Sequence, residues 1–342
     1  NNKANSFNPQ NMIAFFQSIL AFCSRRKPSK HHHHQQNITT TTNGLRLIEP
    51  ISLPNGSQNS KCVLLIGQKG CGKSTLVDAM INFYYGVTRG ADYRFKTSLG
   101  AEGRGDGDGV RWWHLDGDEG LGFPVSIGNM PGFGGDDGVE GDDERWRVIE
   151  RVIMALPRLD VVCVVIPASQ PRLTEVQTAV LNRLLSFFAK DVEEHLVFMF
   201  TFADGGRSTS KTALEYFGVE IKESYKFNNS ALYQSESELM HARGSFHDIN
   251  EIVWKRNEKN MQKWFGTLGQ RSRPCNLKAT KTHLASLSAL SDLKREIGHV
   301  LNSQIESYDH LEDLKSSNLA DIMEGIVIKT QSDVEERRNQ LV

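Results

Sequence analysis

The chain has 342 residues, enough for one α/β domain with appendages, and its 40 Lys and Arg nearly balance 41 Asp and Glu. That balance leaves no overall basic field and argues against nucleic acid as a partner. Five cysteines (Cys23, Cys62, Cys71, Cys163, Cys275) are scattered without CxxC or Cys/His spacing, so they suggest no metal site, and the chain reads as a reduced, cytoplasmic protein.

The first apolar run, Met12 to Cys23, falls short of the roughly 20 residues of a transmembrane span. Its basic flank, Arg25-Arg26-Lys27, would suit an amphipathic anchor on a membrane surface. The run is short and has no polar face of its own, which favours a packing helix or a leader instead. A signal peptide fits poorly, because the positive charges follow the apolar stretch. Residues 24–60 are low in complexity, with His31 to His34, Thr39 to Thr42 and Pro54-Asn55-Gly56. Four histidines invite a metal reading, but a flexible linker is the simpler one, and residues 1–58 are expected to form a mostly disordered leader.

From Lys61 the pattern alternates between strands and helices. Cys62-Val63-Leu64-Leu65-Ile66 predicts a buried strand, and the apolar spacing of Leu76, Val77, Met80 and Ile81 predicts a helix over 74–83. Between them, Gly67-Gln68-Lys69-Gly70-Cys71-Gly72-Lys73-Ser74 fits G-x-x-x-x-G-K-[ST], a phosphate-binding loop. Its glycines let backbone N–H groups turn onto phosphate, Lys73 reaches the β/γ oxygens, and Ser74 offers a hydroxyl to Mg²⁺. Cys71 and Thr75 complete the predicted phosphate-binding set.

Residues 99–143 are rich in Gly, Asp and Glu, interrupted by a strand at 123–127. No EF-hand spacing supports calcium at Asp106, Asp108, Asp116 or Asp118. Arg104-Gly105-Asp106 is read as a coincidental tripeptide, and the whole segment as mobile loops around a nucleotide. Further strands are predicted at 161–166, 196–202 and 225–227, and helices at 144–156, 174–188 and 249–268. That order implies a mainly parallel sheet with helices on both faces, the phosphate loop lying at the carboxyl ends of the strands. After Pro274, Leu290, Leu293, Ile297, Val300, Leu311 and Leu314 share a heptad frame broken at Gln304 and Ser307, and Leu301, Ile305 and Tyr308 suggest a shifted seam. Two readings stay open: a coiled coil, or a helix packed on the domain. The expected division is a leader over 1–58, a nucleotide-binding P-loop domain over 59–270 and a helical extension over 275–342.

Base choice rests on two later segments. Thr201-Phe202-Ala203-Asp204 ends a predicted strand where guanine-specific folds carry [NT]-K-x-D. The Asp204 carboxylate could accept from guanine N1 and N2, a pattern adenine reverses. Phe202 replaces the Lys, and Asp204-Gly205-Gly206 is equally a good turn. Phe227-Asn228-Asn229-Ser230-Ala231 lies where a second guanine loop would come, with Asn228 and Asn229 as candidate contacts to O6.

With Pro131-Gly132-Phe133 and Arg172-Leu173-Thr174 added, these segments occur in the order of septin-like P-loop GTPases, and the chain resembles the immunity-associated (GIMAP-like) and plastid-import-receptor (Toc-like) branch over about residues 61–268. The Phe-Asn-Asn loop is the most specific of these features. The resemblance implies a domain that binds GTP or GDP with Mg²⁺, dimerises across the nucleotide face and hydrolyses slowly. It further implies Lys73 and Gly132 acting on the γ-phosphate, and Ser74, Thr97 and the residue at 129 near the metal. Two departures weaken catalysis. Asn129 stands where the family has a metal-holding Asp, and Phe133 where a water-positioning Gln would help. The expectation is a guanine-nucleotide switch or scaffold with slow or absent hydrolysis. The alternatives are a constitutively loaded assembly module, whose tail pairs or meets a membrane surface, and a P-loop ATPase or kinase.

Overall fold

Strand β3 (Lys61–Gly67) sits in the middle of a six-stranded sheet and carries the phosphate-binding loop from its carboxyl end. The computed structural model describes residues 38–40, 45–48, 60–97, 109–117, 121–136, 138–188, 190–233 and 245–340. The Met12–Cys23 run, the histidine tract and Arg104-Gly105-Asp106 lie outside them. The sheet also contains β5 (Arg111–Leu115), β6 (Val125–Asn129), β7 (Val161–Pro167), β8 (Leu196–Thr201) and β9 (Ser224–Lys226), in the order β5-β6-β3-β7-β8-β9. All pairings are parallel except β5 with β6. β5 falls inside the segment read as mobile loops. Its Arg-Trp-Trp-His-Leu sequence has the aromatic content of a strand, and Trp112 packs so closely over Gly128 that a Cβ there would meet its ring at 2.7 Å.

Alternate residues of the central strands bury both faces, as parallel strands covered by helices require. Val63, Leu65, Cys163, Val165, Val197 and Met199 join one cluster with helix α1 (Lys73–Tyr84) and with Met261, Trp264, Phe265 and Leu268 of the long helix over Ser245–Gln270. The intervening Leu64, Ile66, Val162, Val164, Phe198 and Phe200 are equally buried on the other face. Buried side chains of α2 (Gly138–Ala155) and α3 (Glu175–Phe187) complete that side, Trp146 and Phe187 tilting together at 5.5 Å. α3 begins with a full capping box between Thr174 and Gln177, which marks its start sharply. Short helices α4 (Lys190–Glu193) and α5 (Thr209–Tyr216) precede and follow β8, and were not predicted.

A second sheet takes in residues 38–40 and 45–48 of the segment expected to form a mostly disordered leader. β1 (Ile38–Thr40) pairs antiparallel with β2 (Leu45–Ile48), and β2 pairs parallel with β4 (Arg94–Lys96). Ile48 is fully buried in the main cluster and its carbonyl accepts from Trp113 Nε1 at 3.3 Å. Burial of that one apolar side chain ties part of the low-complexity segment to the domain.

At the amino-terminal end of the central strands, opposite the loop, Asp160 is fully buried. It accepts from Arg158 Nη2 at 2.7 Å, Arg158 Nε at 2.8 Å and the Cys62 N–H at 2.9 Å, and Lys61 Nζ lies 4.0 Å away. Burial lowers the pKa of Lys61, and the nearby Asp160 charge opposes that shift.

The chain divides into two compact units, residues 1–282 and 283–342. With the Ser245–Gln270 helix as α6, the last helix, α7, runs Leu277–Gln340 over 64 residues, about 96 Å at the usual rise. No described helix is long and apolar enough to cross a membrane.

Candidate functional site

The loop between β3 and α1 is built around close backbone approaches. A Cβ on Gly67 would sit 2.5 Å from the Val165 carbonyl oxygen and 2.9 Å from Cys71 Sγ. Gly70 and Gly72 take positive φ, 76° and 89°, which glycine adopts without strain. Gly72 caps α1 with no side-chain hydrogen bond, so the helix's first N–H groups are left for an anion. Lys73 is buried and folds back along the loop, donating to the Gly67 carbonyl at 3.0 Å and the Gln68 carbonyl at 2.9 Å. Burial raises the Cys71 thiol pKa despite Lys73 beside it, so this thiol is a packing group.

The segment after β6 is strapped to this loop. Lys69 N–H donates to the Phe133 carbonyl at 2.7 Å, and a Cβ on Gly132 would meet the Lys69 Cα at 2.6 Å. Phe133 is fully buried against Trp146, 4.8 Å between ring centres, so it faces the core and not the phosphate position. Gly134 N–H is held by Asp142 at 2.9 Å.

These elements enclose a cavity of about 280 Å³ lined by Gly70, Gly72, Lys73, Ser74 and Thr75 of the predicted set, together with Asn129 and Gly132. Lys69, Arg111 and Phe202 line it as well. Arg111 opens the aromatic strand β5, and the antiparallel register with β6 sets it opposite Asn129. Asn129 Nδ2 donates to Ser74 Oγ at 3.2 Å. A second crevice, about 40 Å³ between α1 and α6, is lined by Ala79, Phe83, Leu232 and Trp254 together with Asn229 and Asn257. The predicted base contact Asn229 thus lines this crevice and not the main cavity, while no residue of the phosphate loop lines it.

Thr97 does not reach the main cavity. Its backbone N–H donates to Asp78 Oδ1 on α1 at 2.7 Å, and the other carboxylate oxygen accepts from Tyr233. Burial pushes the Asp78 carboxyl up, opposed by those hydrogen bonds. In this structure Thr97 is anchored to α1 and is not among the residues that line the cavity. For Mg²⁺ the described residues offer the Ser74 hydroxyl and a neutral Asn129 amide. No described group of three or more His, Cys, Asp or Glu is placed to hold a metal. This set fits a cation carried in on the polyphosphate itself, and not one gripped by protein carboxylates.

The base side is tied to the phosphate side by one bond across 130 residues: Thr201 Oγ1 donates to the Cys71 carbonyl at 2.6 Å. Phe202 follows with φ of 53°, the one positive value outside glycine among the described residues, and its ring is 57% exposed beside Gly72. A bulky side chain rarely takes that left-handed conformation, so the surrounding structure must hold Phe202 there at the cavity. Asp204 lies exposed on the same loop, one carboxylate oxygen accepting from Gly206 N–H at 3.0 Å, so it does close a turn. Asn228 and Asn229 are set by Asn257 of α6, which accepts from Asn228 N–H at 2.8 Å and donates to Asn229 Oδ1 at 3.1 Å. Nothing in the local sequence of α6 signals that role for Asn257.

A strand, a glycine loop and a helix at the carboxyl edge of a mostly parallel sheet decide the architecture. The fold is that of a P-loop nucleotide-binding domain. No protein-family profile matches the chain, and no curated protein matches it in sequence. Among solved structures it is similar to Toc33 from Arabidopsis thaliana in complex with GDP and Mg²⁺, at 18% identity and a TM-score of 0.43, covering 63% of this chain and 86% of that one. It is also similar to a probable GTP-binding protein, engB, at 15% identity and a TM-score of 0.31, over 56% and 99% of the two chains. A third is the G domain of the T. maritima FeoB iron transporter, at 14% and 0.28, over 53% and 95%. At these values the likeness concerns fold, and the chemistry must come from this chain's own residues.

Proposed function

We propose that the chain is a guanine-nucleotide-binding switch or scaffold protein of the septin-like GTPase type, with slow or absent hydrolysis. The observation that carries this reading is the physical union of the two halves of the site, the Thr201 hydroxyl bonded to the carbonyl of Cys71 inside the phosphate loop. That bond keeps Phe202 beside Gly72, where its ring would cover one face of a purine, and Asp204, two residues on, would read the base edge. Lys73 and the α1 N–H groups would take the β- and γ-phosphates, Gly132 N–H a γ-oxygen, and Ser74 Oγ a Mg²⁺ brought with the nucleotide. Bound Mg²⁺ would neutralise phosphate charge and orient the oxygens. No described side chain lining the cavity is placed to act as a base for water, and Phe133 faces the core. That supports slow turnover.

The test is nucleotide preference. GTP should bind at least about tenfold more tightly than ATP, since a mismatched base edge leaves buried polar groups unpaired. Asp204→Asn should move that preference toward xanthosine triphosphate. Equal affinity for GTP and ATP, unchanged by Asp204→Asn, would leave Asp204 as a turn residue and defeat the guanine assignment.

The assembly reading has its own support in α7. Leu319, Ile322, Met323, Ile326 and Val327 are all between 49% and 64% exposed on one helix, a stripe that a soluble helix ordinarily buries. We infer self-association through this stripe. Sedimentation of the full chain should give a dimer, and Ile322→Asp with Ile326→Asp should return it to a monomer. A wild type that sediments as a monomer at all concentrations would refute the pairing.

A further inference from the structure

Helix α6 grips both base-side loops from outside the cavity. Asn257 Oδ1 accepts from the Asn228 N–H at 2.8 Å, and its Nδ2 donates to the Asn228 carbonyl and, at 3.1 Å, to Asn229 Oδ1. A backbone N–H can only donate, so the Asn257 amide has one possible orientation. Asn260 Nδ2, further along the helix, donates to the Lys226 carbonyl at 2.7 Å. Arg256 Nη1 donates to the Asp204 carbonyl at 3.2 Å. Gly205 leaves space for it: a Cβ there would overlap the guanidinium, and the φ of 100° favours glycine as well.

The two loops are also joined to each other. Ala203 N–H donates to the Phe227 carbonyl at 3.0 Å, and Lys226 Nζ to the Gly206 carbonyl at 2.8 Å. The Phe227 carbonyl and the Asn228 N–H belong to one planar peptide unit. Asn257 holds its N–H end and Ala203 its carbonyl end, so a tilt of that unit passes directly to the residue before Asp204. Asp204 is exposed, with one carboxylate oxygen on Gly206 N–H in its own turn, so its direction follows the loop backbone. Neither Arg256 nor Asn257 lines the cavity beside the phosphate loop.

We propose that Asn257, with Arg256 beside it, positions Asp204 for base selection, acting through the shared peptide unit and making no contact with the nucleotide itself. The proposal rests on the guanine reading above. Hydrogen bonds weaken steeply with misalignment, so a small shift of Asp204 costs base selection while leaving the phosphate loop untouched. Asn257→Asp probes this with little change of shape. It keeps an acceptor for the Asn228 N–H but turns an anionic oxygen onto the Asn228 carbonyl and Asn229 Oδ1, replacing attraction by repulsion.

The test is calorimetric titration of the full, nucleotide-stripped chain with GTP, ATP and inorganic tripolyphosphate, all in Mg²⁺. Asn257→Asp should weaken GTP about tenfold, the scale of one or two lost hydrogen bonds, and bring the ratio of GTP to ATP affinity close to one. Tripolyphosphate, which has no base, should bind within about threefold of wild type. A residue that only supports the fold would lower all three affinities together. Arg256→Ala removes the other hold from an exposed position and should lower the ratio about threefold. It decides the matter if Asn257→Asp fails to bind even tripolyphosphate. An unchanged ratio in the deciding variant, or an equal loss for all three probes, overturns the proposal and leaves the guanine reading intact. A wild type that binds GTP and ATP equally overturns the guanine reading and this proposal with it.

Discussion

Replacing Asp160 with alanine should cost the domain about 3–5 kcal/mol, the usual penalty for removing one partner of a buried ion pair. The carboxylate has no exposed surface, and three groups from two segments converge on it: the Arg158 guanidinium through two bonds, the Cys62 N–H, and Lys61. Without it, the Cys62 N–H in β3 loses its acceptor, and Arg158 and Lys61, with side chains 22% and 11% exposed, lie beside each other with no anion between them. Urea unfolding of wild type, Asp160→Ala, Arg158→Ala and the double variant measures this. The double variant should lose less than the sum of the single losses, since both remove the same pair. A loss below about 1 kcal/mol for Asp160→Ala would mean that water already reaches the cluster.

Gly132→Ala should cripple nucleotide binding. The added Cβ would lie 2.6 Å from Lys69 Cα, 2.8 Å from Lys69 N and 3.1 Å from Lys69 Cβ, and the two nearest of these atoms are backbone that no rotamer change can move. Either the phosphate loop or the strap after β6 must shift. The strap is fixed by the Lys69–Phe133 bond and by Phe133 buried on Trp146, so the strain falls on the loop that would cradle phosphate. Overpacking of this kind costs about 1–3 kcal/mol. Appearing as lost affinity, it corresponds to about 10–100-fold weaker triphosphate binding. Titration with GTP beside a thermal melt separates the two ways it can appear. Unchanged affinity and unchanged melting would show that the approach at Gly132 is looser than described.

Much of this site was legible beforehand because its motifs are local. The loop Gly67 to Ser74 is a contiguous octamer between a continuous apolar run and a helical apolar spacing, and both flanking elements formed where that pattern put them. The strands at 161–167 and 196–201 were equally plain, being unbroken apolar runs. β1, β2, β4 and β5 carry no such signal: each is short, three of them sit in low-complexity or glycine-rich sequence, and β2 finds its parallel partner β4 only beyond β3 and α1. Ile48 and Trp113 show this, since their contact spans 65 residues. Order along the chain cannot say which side of α1 a threonine will face: the Thr97 N–H is bonded to Asp78, whose other oxygen accepts from Tyr233.

By itself, then, the sequence determined that this chain carries a phosphate loop in a mainly parallel α/β sheet, because backbone conformation and strand burial follow from neighbours in the chain. Tertiary structure alone decided which distant groups share the cavity. It brought Thr201 onto Cys71, turned Phe133 into the core and Phe202 toward the mouth, and set Arg111 opposite Asn129. Those placements depend on sheet register and on contacts between residues 18 to 130 positions apart, which no local pattern encodes.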